Sequence, residues 1–275
     1  NITDFLAGID TILLDCDGVL WRHKDVIPGI PETLHWLRQQ GKRLIFVTNN
    51  STESRSGYKK KIESFGIECE KDEVWGSSFM AAKYLKSINF DKKAYVVGQK
   101  GIAEELEEAG FEYRGVEEHA YFPSATADAA SLPIDPTIGA IVVGLDTKIT
   151  YTKVAYALLH LQNNPGCLFV ATNPDNTFPG SNGRILPGGG TMVKMLEYCS
   201  QKTPVIVGKP SQWFLDQIIS TYNLDRTRTL MVGDKLSTDI LFGNKGSIKT
   251  LLVFTGVTSP EYLKTQEHEE EPTYP

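Results

Sequence analysis

The chain has 275 residues, of which 41% are apolar and 23% charged, and its formal net charge is −6. This composition is typical of a globular protein of one or two domains, and no apolar run approaches the ~18 residues that a membrane helix needs. An acidic chain with scattered lysines and arginines is not expected to bind nucleic acid or a membrane. The four cysteines lie far apart, without the spacing of a zinc site or a disulfide framework, which favours the reducing cytoplasm.

Short apolar runs alternate with amphipathic stretches along the chain. The runs predict strands, which are in chain order TILLD, RLIFVTNN, AYVVG, AIVVGLD, LFVATN, PVIVGKP, TLMVGD and TLLVFTG. Continuous apolar runs suit strands covered on both faces, as in a parallel sheet. The stretches between them, such as PETLHWLRQQG and SQWFLDQIISTYN, predict helices. The fold class is therefore α/β, and one large doubly wound sheet and two α/β units both remain open.

Polar residues stand at the ends of four predicted strands, where ligands bind in open α/β sheets. They are Asp15 and Asp17 after TILL, Thr48, Asn49 and Asn50 after LIFV, Lys209 after VIVG, and Asp234 and Asp239 after LMVG. Asp15 and Asp17 would point to the same side of an extended chain, roughly 6 to 7 Å apart. So many carboxylates in one place favour a divalent cation such as Mg²⁺, and the lysine could hold a phosphate.

Each of these motifs has another interpretation when it is taken alone. A DxD pair often begins a loop, while TNN and GDKLSTD could be a polar turn and an N-capped helix. A calcium loop does not fit, because Val19 and Leu20 stand where it needs Asp or Asn and then glycine. A nucleotide-binding P-loop does not fit either, because Thr203 stands where it needs glycine. The ordered set of four motifs is much more specific than any single one.

That ordered set resembles the haloacid dehalogenase (HAD) superfamily of phosphohydrolases. DCDGVLW is similar to its first motif, FVTNNS to its second, VGKPS to its third and GDKLSTDI to its fourth. The forms DGVLW, VTNNST and GD-x-L-x-TDI resemble more narrowly the branch of 4-nitrophenylphosphatases, phosphoglycolate phosphatases and pyridoxal phosphatases. The resemblance implies a Rossmann-like parallel-sheet core with an inserted α/β cap.

The spacing of the motifs indicates where that cap would be inserted. The gap between Asp17 and Thr48 is short, whereas the gap between Thr48 and Lys209 is long. We therefore expect the core at residues 1–90 and 187–275 and the cap at 91–186. The glycine run that begins at Gly188 is interpreted as a hinge between them rather than as a phosphate cradle.

The resemblance further implies a magnesium-dependent phosphatase for small phosphate monoesters, such as 2-phosphoglycolate or 4-nitrophenyl phosphate. Asp15 would be the nucleophile that forms an aspartyl-phosphate, and Asp17 the general acid and base. Mg²⁺ would be held by Asp15, the backbone carbonyl of Asp17 and Asp234. Asp239 would be a ligand through water or would orient the others.

The same resemblance assigns the phosphate-binding groups. Thr48 and the backbone amides of Asn49 and Asn50 would hydrogen-bond the phosphoryl oxygens, and Lys209 would stabilise their charge. Lys235 stands where the related branch usually has arginine, and we expect a structural rather than a chemical consequence.

Substrate choice is expected to come from the cap. Asn173, Asp175 and Arg184 follow or lie near the LFVATN strand and are the candidate substrate contacts. The expected partner is a small phosphorylated metabolite, and a homodimer through the cap is a further candidate assembly. The alternatives are a pyridoxal phosphate phosphatase, a phosphomutase that returns the phosphoryl group to its substrate, and a regulator that binds phosphate without turnover.

Overall fold

The computed structural model describes residues 2–118, 129, 131–180 and 184–265. Its strands are β1 (Thr11–Leu14), β2 (Trp21–Arg22), β3 (Asp25–Val26), β4 (Arg43–Thr48), β5 (Val74–Gly76), β6 (Lys93–Val97), β7 (Tyr113–Gly115), β8 (Ile138–Val143), β9 (Leu168–Ala171), β10 (Thr177–Pro179), β11 (Ile185–Pro187), β12 (Val205–Ile206), β13 (Thr229–Gly233) and β14 (Lys249–Leu252). Its α-helices are α1 (Ile2–Ala7), α2 (Ile30–Gln39), α3 (Arg55–Ser64), α4 (Ser77–Ser87), α5 (Lys100–Glu108), α6 (Tyr151–Asn163), α7 (Gly189–Ser200), α8 (Gln212–Tyr222), α9 (Leu241–Lys245) and α10 (Pro260–Thr265). A short π-helix, Leu236–Ile240, precedes α9.

A first sheet of five parallel strands, the core sheet, has the order β14-β13-β1-β4-β5. The central strands β1 and β13 are buried throughout, and β4 is buried except at its first residue. Burial on both faces explains why these strands appear in the sequence as continuous apolar runs. The core sheet therefore brings the first, second and fourth motifs to neighbouring strands.

A second sheet of five parallel strands, the cap sheet, has the order β12-β9-β8-β6-β7. Its buried residues Tyr95, Ile141 and Phe169 share a hydrophobic cluster with Tyr156 of α6 and Leu196 of α7. Two parallel sheets with helices packed on them confirm the predicted α/β class, and the two-unit layout is the one that the chain adopts.

The two sheets are joined by a shared hydrophobic cluster. It contains Ile45 of the core sheet and Val142 of the cap sheet, together with Met80 of α4 and Ile102 of α5. Because protein interiors are close-packed, such a shared cluster resists independent movement of its two sides. The unit built on the cap sheet, the second unit, is therefore packed through apolar side chains against the unit built on the core sheet. The chain also connects the two units covalently.

The second unit extends further along the chain than the predicted range 91–186. Helix α7 packs against α6, and β12 pairs with β9 at the edge of the cap sheet. The predicted range places both elements in the core, because the glycine run after Leu186 is interpreted as the return of the chain to the core. A two-residue strand carries no signal of the sheet it will join, since edge pairing is decided by tertiary packing.

Other elements were missed because they are short. Strand β5, the β2–β3 hairpin and the β10–β11 hairpin each contribute two or three residues per strand, which is too few for a periodic pattern. Helix α4 was missed because its sequence is apolar on most sides, with Met80, Ala81, Ala82 and Leu85 all buried. In the described ranges, no helix has both the length and the apolar character that crossing a membrane takes.

Candidate active site

Three of the predicted strand ends meet at the carboxyl edge of the core sheet. Asp15 follows β1, Asp234 follows β13, and Thr48 is the last residue of β4. Strand β1 lies between the other two, and the three are paired in parallel register. Because parallel strands end at a common edge, residues far apart in the sequence form one polar cluster.

Lys209 lies at the centre of this cluster. Its side chain is almost completely buried, and its Nζ is 2.7 Å from Asp15 Oδ1 and 2.7 Å from Asp239 Oδ1. The same ammonium donates to the carbonyl of Val47 at 2.9 Å. A lysine has three N–H donors, and here each has an acceptor. Lys209, from the third predicted motif, therefore contacts residues of the first, second and fourth motifs. The strand that precedes it nevertheless belongs to the cap sheet.

The buried charges in the cluster shift one another's proton affinity. Burial raises the pKa of Asp15 well above its usual range, and the carboxylates of Asp239 and Asp234 add to that effect while Lys209 opposes it. Burial, together with Asp239, raises the pKa of Asp234 to about 7. Burial alone would lower the pKa of Lys209, but Asp15 and Asp239 raise it. One ammonium thus lies among three buried carboxyl groups, and further positive charge would favour their ionised forms.

The donor set fits a hard divalent cation. Oxygens of Asp15, Asp234 and Asp239 lie within 4.8 Å of one another. Asp234 Oδ2 accepts the backbone N–H of Val257 at 2.6 Å, and Asp15 Oδ1 accepts from Lys209 Nζ at 2.7 Å. Asp239 differs, because its Oδ1 faces Lys209 and its Oδ2 accepts the amides of Asp234 and Lys235, each at 3.1 Å. Asp15 and Asp234 could therefore hold Mg²⁺, whereas both oxygens of Asp239 already have partners, as an orienting group would.

Asp17 stands apart from the three buried carboxylates. Its side chain is 44% exposed, and its Oδ1 accepts the indole N–H of Trp21 at 2.7 Å and lies 3.9 Å from Lys61 Nζ. It lines the same cavity as Asp15, while Cys16 between them is fully buried in the core. An accessible carboxyl beside a buried one suits the exchange of protons with a bound molecule and with water.

The second motif binds Lys209 as well as lining the cavity. Asn49 Oδ1 accepts the amide of Lys209 at 2.7 Å, and Asn49 Nδ2 donates to the Lys209 carbonyl at 3.0 Å. Buried Thr48 accepts the amide of Asn50 at 3.1 Å, and its hydroxyl lies 3.4 Å from that of Tyr58. All three predicted phosphate contacts line the cavity, and the Asn49 side chain additionally positions the lysine.

Two of the predicted substrate contacts tie the cap to the core. Buried Asn173 donates to the Asn49 carbonyl at 2.8 Å and accepts the amide of Asp175 at 3.1 Å. Asp175 in turn accepts from Asn49 Nδ2 at 2.9 Å and from Lys235 Nζ at 2.5 Å. Both residues line the cavity. Lys235 lines the cavity as well, and the expectation that its consequence is structural rather than chemical stays a prediction.

Arg184, the third predicted contact, is not brought to the cavity. It is exposed just before β11, where its carbonyl accepts the amide of Gly180 at 2.7 Å, and its side chain is not among those that line the cavity. Thr177, Phe178 and Pro179 of β10 line the cavity instead.

The glycine run packs against the loop that follows β9. A Cβ atom would lie 2.3 Å from the Asp175 carbonyl oxygen if placed on Gly188, and 2.3 Å from that of Pro174 if placed on Gly190. The Gly190 amide donates to the Asp175 carbonyl at 2.8 Å. Close approach of the neighbouring backbone therefore explains why Gly188 and Gly190 have no side chain. The use of the glycine run as a hinge stays a prediction.

The cavity above the cluster has a volume of about 580 Å³ and includes residues that the sequence analysis missed. Arg22 and His23, on and just after β2, form part of its wall, as does the loop from Thr255 to Val257. Arg22 Nε donates to the Thr255 carbonyl, and Thr255 Oγ1 donates to the Gly18 carbonyl at 2.6 Å. Exposed charged residues in a short hairpin resemble ordinary surface residues, so their sequence gives no signal of this position.

The fold and the carboxylate–lysine cluster define a hydrolase of the HAD class. A family model described as haloacid dehalogenase-like hydrolase matches residues 12–112, and a second, HAD-hydrolase-like model matches residues 206–274. The chain belongs to the HAD-like hydrolases, which confirms the predicted resemblance.

Its relatives are phosphatases. Phosphoglycolate phosphatase 1A, chloroplastic, of Arabidopsis thaliana is 44% identical over 100% of this chain and 76% of its own length. Glycerol-3-phosphate phosphatase of Rattus norvegicus is 42% identical over 95% of this chain and 84% of its own length. The crystal structure of 4-nitrophenylphosphatase from Thermotoga maritima has a TM-score of 0.83 and 27% identity, covering 98% of this chain and 94% of the other. The chain is a phosphoric monoester hydrolase.

Proposed function

We propose that this chain is a magnesium-dependent phosphatase for small phosphate monoesters, with 2-phosphoglycolate as the preferred substrate, and that it acts through an aspartyl-phosphate on Asp15. The observation that carries the proposal is the buried contact of 2.7 Å between Asp15 Oδ1 and Lys209 Nζ, which lies at the base of the cavity beside Asp234. The name of the Arabidopsis thaliana relative, phosphoglycolate phosphatase 1A, supports the choice of substrate.

Asp15 would act as the nucleophile. Its carboxylate oxygen attacks phosphorus, the bond from phosphorus to the leaving alcohol oxygen breaks, and the phosphoryl group stays on Asp15. Water then cleaves that acyl phosphate and releases phosphate, so one difficult hydrolysis becomes two easier steps. Lys209 holds Asp15 in place and favours its ionised form against the effect of burial, and bound Mg²⁺ would supply the further positive charge for Asp15 and the phosphoryl oxygens.

Asp17 would move the protons. In the first step it protonates the departing alcohol oxygen, and in the second it accepts a proton from the attacking water. The hydrogen bond from Trp21 to Asp17 Oδ1 fixes the carboxyl group while leaving its other oxygen available. Half-exposure supports this role, because the group must exchange its proton with solvent between turnovers.

Thr48, Asn49 and Asn50 would bind the phosphoryl oxygens, and Asp15 and Asp234 would hold Mg²⁺ together with the backbone carbonyl of Asp17. Preorganised donors stabilise developing charge most when they are shielded from water, as buried Thr48 is. A cytoplasmic location and a homodimer through the cap stay predictions.

The decisive experiment is the Asp15→Asn variant. We expect it to abolish phosphate release from 2-phosphoglycolate and 4-nitrophenyl phosphate while the circular dichroism spectrum is unchanged. Asp25→Asn, which changes an exposed aspartate in the neighbouring hairpin, is the matched control and should retain activity. The assays are run with excess Mg²⁺ and with a chelator, and only the former should support turnover.

The same assay separates the alternatives. An Asp15→Asn enzyme that still released phosphate at a near-normal rate would contradict the nucleophile assignment. An isomerised product without phosphate release would indicate a phosphomutase, and binding without any turnover would indicate a regulator. Faster hydrolysis of pyridoxal phosphate than of 2-phosphoglycolate would move the substrate assignment to the pyridoxal phosphatases.

A further inference from the structure

Arg22 has a distinctive position in the cavity wall. It is the last residue of β2, its side chain is exposed, and it lines the cavity that contains Asp15 and Asp17. Its Nε donates to the carbonyl of Thr255, which anchors the side chain. Among the described residues, no carboxylate lies within ion-pair distance of its guanidinium. The two terminal amino groups therefore remain available for a ligand.

The other cations of the wall are already engaged. Lys209 contacts Asp15 and Asp239, and Lys235 is paired with Asp175 at 2.5 Å. On the cap side, the described lining residues include a single charged one, Asp175, and its charge is negative. An acidic group on a substrate would therefore bind on the core side of the cavity, to the positive charge of Arg22.

The connection between Arg22 and Asp17 indicates which part of a substrate would reach it. Trp21, the residue before Arg22, donates its indole N–H to Asp17, and its carbonyl accepts the Gly18 amide at 2.8 Å. In the proposed function, on which this step rests, Asp17 protonates the leaving alcohol. A residue tied to Asp17 in this way faces the leaving-group side of the phosphate.

We infer that Arg22 binds a carboxylate on the leaving group and thereby selects small phosphate esters that carry an acid group. The planar guanidinium can donate two parallel N–H bonds to a carboxylate, which a lysine in its place could not do. In 2-phosphoglycolate the carboxylate is joined to the ester oxygen through one carbon, so both anionic groups would lie in the same cavity. Charge selection would then come from the core, while the cap hairpin limits size and shape.

The test compares two substrates that differ only in that charge. 2-Phosphoglycolate and 2-hydroxyethyl phosphate have the same length, but the second carries a neutral hydroxymethyl group in place of the carboxylate. We expect Arg22→Gln to lower kcat/KM for 2-phosphoglycolate by roughly 10- to 100-fold and to leave that for 2-hydroxyethyl phosphate within about twofold. Arg22→Lys should recover only part of the loss, because it restores the charge without the paired geometry.

Lys24→Gln is the matched control, because Lys24 is an exposed cation in the same hairpin that does not line the cavity. It should not change the ratio of the two kcat/KM values. Equal losses on both substrates with Arg22→Gln, or no loss on either, would overturn the inference. If the wild-type enzyme hydrolysed no phosphate ester, the proposed function would fail instead.

Binding without turnover keeps the inference testable in that case. 3-Phosphonopropionate replaces the ester oxygen of 2-phosphoglycolate with carbon, and 3-hydroxypropylphosphonate is its neutral counterpart. Calorimetry in excess Mg²⁺ should show that Arg22→Gln weakens only the first ligand, by roughly 10-fold or more. Equal affinity of wild type and variant for 3-phosphonopropionate would reject a carboxylate site at Arg22.

Discussion

The two walls of the cavity are built in different ways. On the core side, Asp15, Asp239 and Lys209 are buried and connected by contacts of 2.7 Å. On the cap side, the β10–β11 hairpin is exposed in every described strand residue, with Phe178 37% and Ile185 73% exposed. Removing the partner of a buried charge costs much folding free energy, whereas removing the partner of an exposed side chain costs little. Changes on the core side should therefore affect stability and catalysis together, and changes on the hairpin should affect substrate preference alone.

The largest effect is expected from removing the central cation. Lys209→Met leaves Asp15 and Asp239 buried without their partner, which should lower the free energy of unfolding by about 3–5 kcal/mol. Phosphate release should fall by roughly 10³-fold, because a preorganised charge is lost. Urea unfolding and a phosphate-release assay measure the two effects. Lys24→Met should change stability by less than about 0.5 kcal/mol, and a similarly small change in Lys209→Met would contradict the contrast between the walls.

The next effect is a dependence of stability on pH and Mg²⁺. The pKa of Asp15 is raised, and that of Asp234 is raised to about 7, so the folded protein holds these protons more tightly than the unfolded chain does. Without metal, stability should be greatest below about pH 4 with respect to these groups and should be lost as the pH rises through about 7. The rise in Tm caused by excess Mg²⁺ should therefore be larger at about pH 8 than at about pH 5.

Thermal unfolding in EDTA and in MgCl₂ across that pH range measures this difference. Asp234→Asn removes one titrating carboxyl and should flatten the pH dependence of the metal-free protein. An increase in Tm with Mg²⁺ that is the same at every pH, in wild type and variant alike, would show that the cation binds elsewhere.

A smaller effect is expected at the connection between the walls. Asp175 and Lys235 are 18% and 20% exposed and link the cap to the core. A double-mutant cycle with Asp175→Asn and Lys235→Met should give a coupling of about 1 kcal/mol. The control is Glu117–Lys148, a pair within the second unit at 2.8 Å whose side chains are 63% and 48% exposed. The coupling energy of this control pair should be near zero. Equal coupling energies for the two pairs would show that the contact between cap and core stabilises the protein no more than an exposed ion pair does.

The smallest effect on stability is expected from the hairpin itself. Phe178→Ala should change the free energy of unfolding by about 0.5 kcal/mol or less, because the ring is already partly in water. It should lower kcat/KM for the aromatic ester 4-nitrophenyl phosphate by roughly two- to fivefold and leave that for 2-phosphoglycolate unchanged. Parallel kinetics with the two substrates distinguish this outcome from a general loss of activity.

The sequence was most informative where residues are buried. Strands such as β1, β4 and β13 have long apolar runs, and the rule that parallel strands end at one edge was enough to predict that Asp15, Thr48 and Asp234 meet. The strand before Lys209 was predicted as well, although its sheet was not. These predictions depend on local pattern and on topology, which a single sequence contains.

The sequence was least informative where position depends on a tertiary partner. Arg22, at the end of a two-residue strand, lines the cavity and donates to Thr255, whereas Arg184, just before β11, is not among the lining residues. Asn49 was predicted to bind a phosphoryl oxygen through its backbone amide, and its side chain hydrogen-bonds the backbone N–H and carbonyl of Lys209. None of these arrangements leaves a periodic or compositional signal.

The short strand β12 limits how this enzyme could be recombined with its relatives. It completes the edge of the cap sheet, and only Val207 and Gly208 separate it from Lys209. A chimaera joined at residue 186 would pair a foreign β9 with the native β12, so any misfit between these two strands would displace the ammonium group of Lys209. A graft that carries α7 and β12 along with the donor cap preserves the pairing of β12 with β9. Gly208 is then the position at which donor and recipient sequences should be joined.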